Sequence, residues 1–588
     1  MWNYINLETP DQEINLSKWN LKKGGHTLFF DKHKFEDGKP TVVTCTFGYN
    51  PHTTRCFTWV SKGYRDEFIK YRKQGDSEWI VRESFKAGDG RETYIDDIYN
   101  RIRAVASDGV RFTSHKIIIT LDEPEDTQVY EYQVGYGDYF SDIKTFTLRN
   151  RQKVINEGFS FVQVTDQQGF NAEEYDTWRL AAEYINQQSK IAGTEESKIQ
   201  FTINTGDATQ NGNRMGEWID YFNAGNSLFD HFEQMYSVGN NDLCPIIPQE
   251  FGDGSDLTKC NPINVEFFFT FDHPEDHIIP KSTTGKYIPC CYSFIYGNTL
   301  FLGVNSELTD SKNNAAATLF GSDTNTLYNQ WIKPWAQAEV DAADEFGVDW
   351  KIAFCHENPF TLLIYNVMSK YDGVTPKSDR GDVTSHFNNP GGFWFSKFLE
   401  DNNFDLSICG HKHTYTTSYY LHDNPEDRMK PYVYNEGQEI VADAQKVVQL
   451  SNDTANMHFV KYTMCQATGY KLVSNKELPC ANIGWLEHYY PASRANDADK
   501  KNTAQEFPHY IVWNIGVGTE KTKPSESTTS RPRILGKVKK LVRTDISGNK
   551  VAKYNYNTAQ LLVKDVKAIG GNGAGDTSND NVIVEKLT

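Results

Sequence analysis

Five stretches of this chain stop at residue types that bind hard or borderline cations. The run FSFVQVT leads to Asp166 and Gln168, and FTINTG leads to Asp207. YSVG leads to Asn240, Asn241 and Asp242, KIAFC to His356, and LSICG to His411 and His413. Each run is short and rich in β-branched or aromatic residues, as a buried strand is, and glycine often precedes the polar residue. A lone Gly-Asp or His-x-His is usually a turn or an incidental pair. Five strand ends delivering carboxylate, amide and imidazole in succession form a pattern that turns alone do not explain. The chemistry such groups serve is hydrolysis assisted by two cations about 3.5–4 Å apart.

For those ligands to meet, the strands must lie side by side, because neighbouring strands present their C-terminal ends on one edge of a sheet. From Arg149 onward the sequence alternates strands with helices, as that arrangement requires. Asn171-Ala-Glu-Glu174 fits a helix start with a capping-box carboxylate, followed by Tyr175, Trp178, Ala182 and Ile185 at helical spacing. Gly216–Phe232 predicts a second helix with a glycine-containing interruption. Thr326–Ala343 and Gly392–Leu399 predict two more, and Asn298–Asn305 a strand. Strand Lys198–Asp207 alternates Ile199, Phe201 and Ile203 with Gln200, Thr202 and Asn204, a polar face unlike the continuous apolar run of a doubly covered strand.

Before Arg149 the texture is all-β. Strands are predicted at Thr41–Phe47, Arg55–Ser61, Glu78–Arg82, His115–Leu121, Gln128–Gly135 and Ile143–Leu148, separated by turn-rich pieces, which suggests a sandwich. The 588-residue length implies two or three domains. No apolar run reaches the ~18–20 residues that span a bilayer. The N-terminal residues have neither a basic nor an apolar signal region, which predicts a cytoplasmic or otherwise not Sec-secreted protein. A net charge of −18 argues against broad binding to nucleic-acid phosphates, yet leaves room for a phosphorylated small substrate beside bound dications. The ten cysteines show no CxxC spacing. Cys355 and Cys409 read as core thiols. Cys244, Cys260, Cys290 and Cys291 share one loop-rich stretch where they could pair, bind metal or stay reduced, and the last is favoured.

The order Asp-x-Gln, Gly-Asp, Gly-Asn-Asn-Asp, His, Gly-His-x-His resembles the calcineurin-like metallophosphoesterase superfamily. The strand-rich region ahead of it, with IIITLDEP and VYEYQVG, looks like the fibronectin-III-like domain of purple acid phosphatases. The resemblance implies an α/β fold of two stacked β-sheets flanked by helices, preceded by an all-β sandwich. The organisation it implies is a lead-in over 1–30, the sandwich over 31–149, and the catalytic domain over 150–520 with an insert at about 415–507. A linker and a small C-terminal β segment over 521–588 complete it. Transferred position by position, Asp166, Gln168, Asp207 and His413 hold one metal, and Asp207, Asn240, His356 and His411 the other. The ions would be Mn, Fe or Zn, divalent or trivalent, and a bridging hydroxide would attack a phosphate mono- or diester.

Three departures from the family pattern bear on activity. Gln168 stands where the family usually has histidine, a weaker donor for a transition metal. Gln210 stands where purple acid phosphatases carry a tyrosinate, so no Fe(III)–phenolate colour is expected. Asn241 replaces the histidine that in the family contacts phosphate and protonates the leaving group, and asparagine is no general acid. Asn241 and Asp242 are nonetheless the catalytic-loop candidates, with Asp242 a candidate for holding the loop. His386 is a candidate substitute acid, and Arg214 and Arg380 are candidates for phosphate contact. The alternative is a catalytically weakened or inactive protein of this fold with a structural or binding role. The long insert and the basic-apolar segment Arg531–Arg543 are then candidates for holding a protein partner.

Overall fold

The computed structural model describes residues 38–63, 65–84, 102–105, 111–169, 171–189, 199–210, 212, 215–242, 263–273, 290–309, 332–357, 359–360, 395–413, 415–422, 457–465, 467–469, 508–516 and 533–544, and the short strands 13–15, 432–434, 447–448, 486–489, 560–565, 569–570 and 581–585. His386, Arg214, Arg380, Cys244, Cys260 and the linker Lys521–Ser530 lie outside the described residues.

Alternating side chains build the N-terminal sandwich. One five-stranded sheet runs Glu13–Asn15, Ile102–Val105, Arg111–Thr120, Thr54–Lys62, Val42–Phe47. The facing sheet runs Lys144–Arg149, Thr127–Tyr136, Phe68–Lys73, Ile80–Glu83, with Tyr139–Phe140 on its hairpin. Val43, Cys45, Phe57, Trp59, Ile117 and Ile119 of the first sheet pack on Ile69, Tyr71, Tyr132, Val134 and Phe146 of the second.

The first sheet is buried on its other face too. There Ser114, Thr44 and Lys116 donate to the carbonyls of Phe267 (2.7 Å), Phe268 (2.6 Å) and Phe269 (2.8 Å), and Thr46 donates to that of Thr270. A threonine–serine–lysine face that reads as solvated is instead the surface on which segment 267–270 lies. The aromatic rings of that segment enter the larger core. Arg55 and Glu233 close the same junction with a buried ion pair at 2.5 Å.

Two mixed sheets form the rest. In the first, Phe159–Val164, Phe201–Asn204 and Glu233–Tyr236 run parallel, so the segments leading to Asp166, Asp207 and Asn240 leave one edge. His509–Gly516 pairs antiparallel with Phe159–Val164. In the second, Thr299–Gly303, Trp350–Phe354, Leu406–Cys409 and Val460–Met464 run parallel, so His356 and His411 also leave one edge. The sheets stack through aromatic rings: Phe161 and Phe201 meet Phe301 edge-on at 5.4 and 5.5 Å. Gln163 crosses between them, donating to Cys409 O (2.9 Å) and accepting from Trp513 Nε1 (3.1 Å). Helices Asp176–Ser189 and Met215–Phe229 cover the first sheet, and Lys333–Phe346 and Phe395–Asp401 the second. Two stacked sheets flanked by helices, behind an all-β region, is the architecture expected from sequence.

Local details differ from expectation. Helix Met215–Phe229 continues through Gly225, where a Cβ would sit 2.8 Å from Trp178 Nε1; the glycine allows close approach of the neighbouring helix and is no interruption. Asn171 Oδ1 does accept from Glu174 N (3.2 Å), but this caps a turn, and the helix starts at Asp176. The Arg533–Thr544 segment is one 12-residue strand paired with His509–Gly516, and Ile569–Gly570 pairs with Leu486–Tyr489 of the other sheet. The C-terminal strands are therefore integral to both sheets. Cys290 and Cys291 are buried, and Cys355 and Cys409 are buried free thiols in the core.

Candidate metal centre

The strand ends bend sharply to face one another. Six non-glycine residues among those described adopt positive φ, and four are Asp166 (52°), Asp207 (56°), His411 (78°) and His413 (52°). Left-handed backbone is disfavoured for side chains with a Cβ, and such strain concentrates at functional sites. Gly410 belongs to the same geometry: a Cβ there would lie 1.9 Å from Thr165 Oγ1 and 2.6 Å from Asp166 Oδ2, so only glycine lets the two sheet edges approach. His411 N then donates to Asp166 Oδ2 at 2.9 Å.

The predicted ligands gather into two groups around Asp207. In one, Gln168 Nε2 is 3.1 Å from Asp207 Oδ2 and 3.1 Å from His413 Nε2, which is 3.1 Å from Asp166 Oδ1. In the other, His356 Nε2 is 3.4 Å from Asp207 Oδ1, 3.3 Å from Asn240 Oδ1 and 3.2 Å from His411 Nδ1. One donor atom each from Asp166, Asp207 and His356 lie within 4.8 Å of one another. Asp166 Oδ1 is fully buried and its polar neighbour among the described residues is His413 Nε2 at 3.1 Å, so this carboxylate depends on positive charge beside it. The donor set of carboxylate, amide and imidazole suits a divalent transition metal.

The electrostatics point the same way. Burial acts to lower the His356 imidazole, but the Asp207 carboxylate outweighs it and holds the pKa well above its ordinary value. The field at that ring favours positive charge. His356 Nδ1 lies 2.7 Å from Thr205 O, so that nitrogen donates to the backbone and Nε2 is the atom aimed at the site.

The catalytic-loop candidates behave differently. Asn241 N and Nδ2 donate to Asp207 Oδ1 (2.8 Å) and Oδ2 (2.6 Å), while its Oδ1 accepts from Gln210 Nε2 (2.9 Å). The two residues that depart from the family pattern on this side thus touch each other. Asp242 is wholly buried and accepts from Asp207 N, Gly239 N, Thr209 N, Thr209 Oγ1 and Tyr236 OH. Burial, then the Asp207 charge, push its carboxyl up to about 7 against those bonds.

Several supporting residues were not singled out in sequence. Asn204 Oδ1 accepts from Gly206 N (3.0 Å), and its Nδ2 donates to Gln167 Oε1 and Tyr221 OH. This accounts for part of the polar face of that strand, whose only signal was the alternation of Gln200, Thr202 and Asn204 with apolar residues. Glu357 Oε1 lies 3.4 Å and Lys412 Nζ 2.5 Å from His411 Nε2, both adjacent to ligand candidates in sequence. Nothing local marked Tyr236.

Residues 159–415 match the family model for calcineurin-like phosphoesterases. This segment is similar to a calcineurin-like phosphoesterase domain. The whole fold is similar to a purple acid phosphatase from yellow lupin seeds, with TM-score 0.52 and 11% identity over 90% of this chain and 74% of that one. PhoD aligns over 93% of both chains with TM-score 0.48 and 10% identity. No curated protein matches the chain in sequence. At such identities the likeness to the lupin enzyme is one of fold.

Proposed function

We propose that the calcineurin-like domain hydrolyses a phosphate mono- or diester with two bound cations, Mn, Fe or Zn. Asp166, Gln168, Asp207 and His413 hold one, and Asp207, Asn240, His356 and His411 the other. The observation that carries this reading is the position of Asp207, whose two oxygens face two separate ligand groups. Bound there, the cations would supply a water of lowered pKa as nucleophile and draw charge from the phosphoryl oxygens. The protein's own part is orientation: Thr205 O fixes the His356 tautomer, and Asn241 fixes both Asp207 oxygens. In the same reading the fibronectin-III-like domain spans 31–149 and the catalytic domain 150–520, and the partner is a phosphorylated substrate.

A second reading, a weakened enzyme or a binding protein, draws on Asn241. Its amide is committed to Asp207 and Gln210 and cannot protonate a leaving group. Hydrolysis of p-nitrophenyl phosphate and its bis-ester, by metal-free protein supplied with Mn²⁺, Fe²⁺ or Zn²⁺, separates the two. That leaving group needs little acid assistance. Metal-dependent turnover that disappears in Asp207→Asn supports the enzyme. Metal uptake with no turnover for any ion supports the second reading, as does strong activity gained by Asn241→His from a feeble parent.

A further inference from the structure

The geometry points to Tyr236 as a positioning residue for the Asp207 carboxylate. It acts together with Asp242 as an internal plug for three consecutive backbone N–H groups. Asp207 N donates to Asp242 Oδ2 (2.8 Å), Ala208 N to the Tyr236 hydroxyl (3.2 Å) and Thr209 N to Asp242 Oδ1 (3.2 Å). The hydroxyl in turn donates to Asp242 Oδ2 at 2.6 Å. Successive N–H groups turned to one side form a concavity that attracts an anion. Here the acceptor is the chain's own Asp242 carboxyl, tied to a phenol, and Asp207 is thereby kept in its left-handed conformation.

The phenol is itself immobilised. Its ring stacks on Phe269 at 4.7 Å and 18°, and Trp218 lies 6.1 Å away. The Phe269 carbonyl is held by Lys116 Nζ of the sandwich at 2.8 Å. The backbone on either side of the Tyr236 side chain is fixed by Tyr292, which accepts from Tyr236 N and donates to Tyr236 O, both at 2.9 Å. A ring packed this tightly can aim one hydroxyl at the metal loop without itself reaching a ligand. Groups that orient a ligand in this way typically change metal affinity by about 10–100-fold.

The inference rests on the reading of Asp207 as a metal ligand, and its test separates the two. Tyr236→Phe removes one oxygen and keeps the ring. Tyr132→Phe removes an equally buried hydroxyl in the core of the sandwich, away from the loop, and serves as the comparator. Mn²⁺ affinity is measured by competition with a chromophoric chelator. Deuterium uptake of the peptide containing residues 207–209 is measured on metal-free protein. Tyr236→Phe is expected to weaken Mn²⁺ binding about 10–100-fold and to speed exchange of that peptide, while Tyr132→Phe leaves both at the wild-type value. Wild-type behaviour of Tyr236→Phe in both assays overturns the inference, and so does an equal effect of the two variants. If the wild-type protein takes up no Mn²⁺, the two-cation reading fails, and the exchange measurement alone decides the role of Tyr236.

Discussion

Two regions of this protein bury polar side chains deeply, and they do so in opposite ways. At the junction between the sandwich and the mixed sheets, Arg55 is matched by Glu233, and Lys116, Thr44, Thr46 and Ser114 are matched by successive carbonyls. At the candidate metal centre, carboxylate, amide and imidazole groups crowd together. Asp166 Oδ1 faces the His413 ring at 3.1 Å, and four residues there carry left-handed backbone. Burial of polar groups is common to both regions, so it does not distinguish function from structure. What distinguishes them is completion: one network pairs each charge and carbonyl, and the other, on the two-cation reading proposed above, closes around bound ions.

The comparison predicts that the centre trades stability for chemistry and the junction does not. Asp207→Asn should abolish metal-dependent phosphoester hydrolysis, by at least about 10²–10³-fold. It should leave the melting temperature of metal-free protein unchanged or raised, because it removes a charge from a crowded acceptor cluster. A metal-free variant that melts well below its parent would show the centre to be as self-contained as the junction.

The reverse holds for Glu233→Ala. It strands the Arg55 guanidinium in a site where both partners are at most 4% exposed. Breaking such a pair costs about 3–5 kcal/mol, read by denaturant unfolding. Metal affinity of the folded fraction should be untouched. Replacing both partners with apolar residues should recover most of the loss, since a buried pair contributes little over a well-packed hydrophobic substitute.

His52 sharpens the junction further. Its Nδ1 meets Arg149 O at 2.8 Å and its Nε2 accepts from Gly297 N at 2.9 Å, so the ring is needed neutral. Burial lowers its pKa from 6.5 to about 4, and the Arg151 and Arg55 charges add to this against the Arg149 hydrogen bond. With the folded pKa below the unfolded one, the unfolded chain binds the extra proton between those values. Stability present above pH 6.5 is therefore lost as pH falls toward 4, by up to about 3 kcal/mol. In His52→Gln that part of the pH dependence should vanish from the unfolding free energy.

How far the sequence reveals these regions follows from the same contrast. The centre was legible because ligands must be particular residue types at particular strand ends. Asp207 and His411 directly follow glycine, and Asp166 and His356 close short apolar runs, which made them candidates; the stacked sheets follow from what must position them. The junction was hidden because Thr44, Thr46, Ser114 and Lys116 alternate with core residues just as a solvent-facing sheet would. Only the arrival of segment 267–270, more than 150 residues later, turns that face inward. Pairings between distant strands, such as Arg533–Thr544 on His509–Gly516, likewise leave no local periodicity to read. Tyr236 was invisible for a third reason: an aromatic in a strand reads as core, and its hydroxyl matters only once Asp242 and Ala208 are beside it.

The smallest effect tests the boundary between the regions. Thr44→Val keeps the shape of the side chain and leaves the Phe268 carbonyl without its 2.6 Å donor. An unsatisfied buried carbonyl costs about 1–3 kcal/mol. The neighbouring carbonyls of Phe267, Phe269 and Thr270 keep their own donors, so the segment should stay in place and the Phe269 ring should remain against Tyr236. The expected result is a lower unfolding free energy with unchanged Mn²⁺ affinity. A parallel fall in affinity would mean that the junction transmits strain through Phe269 and Tyr236 into the Asp207 loop. The sandwich would then belong to the metal site as much as to the scaffold.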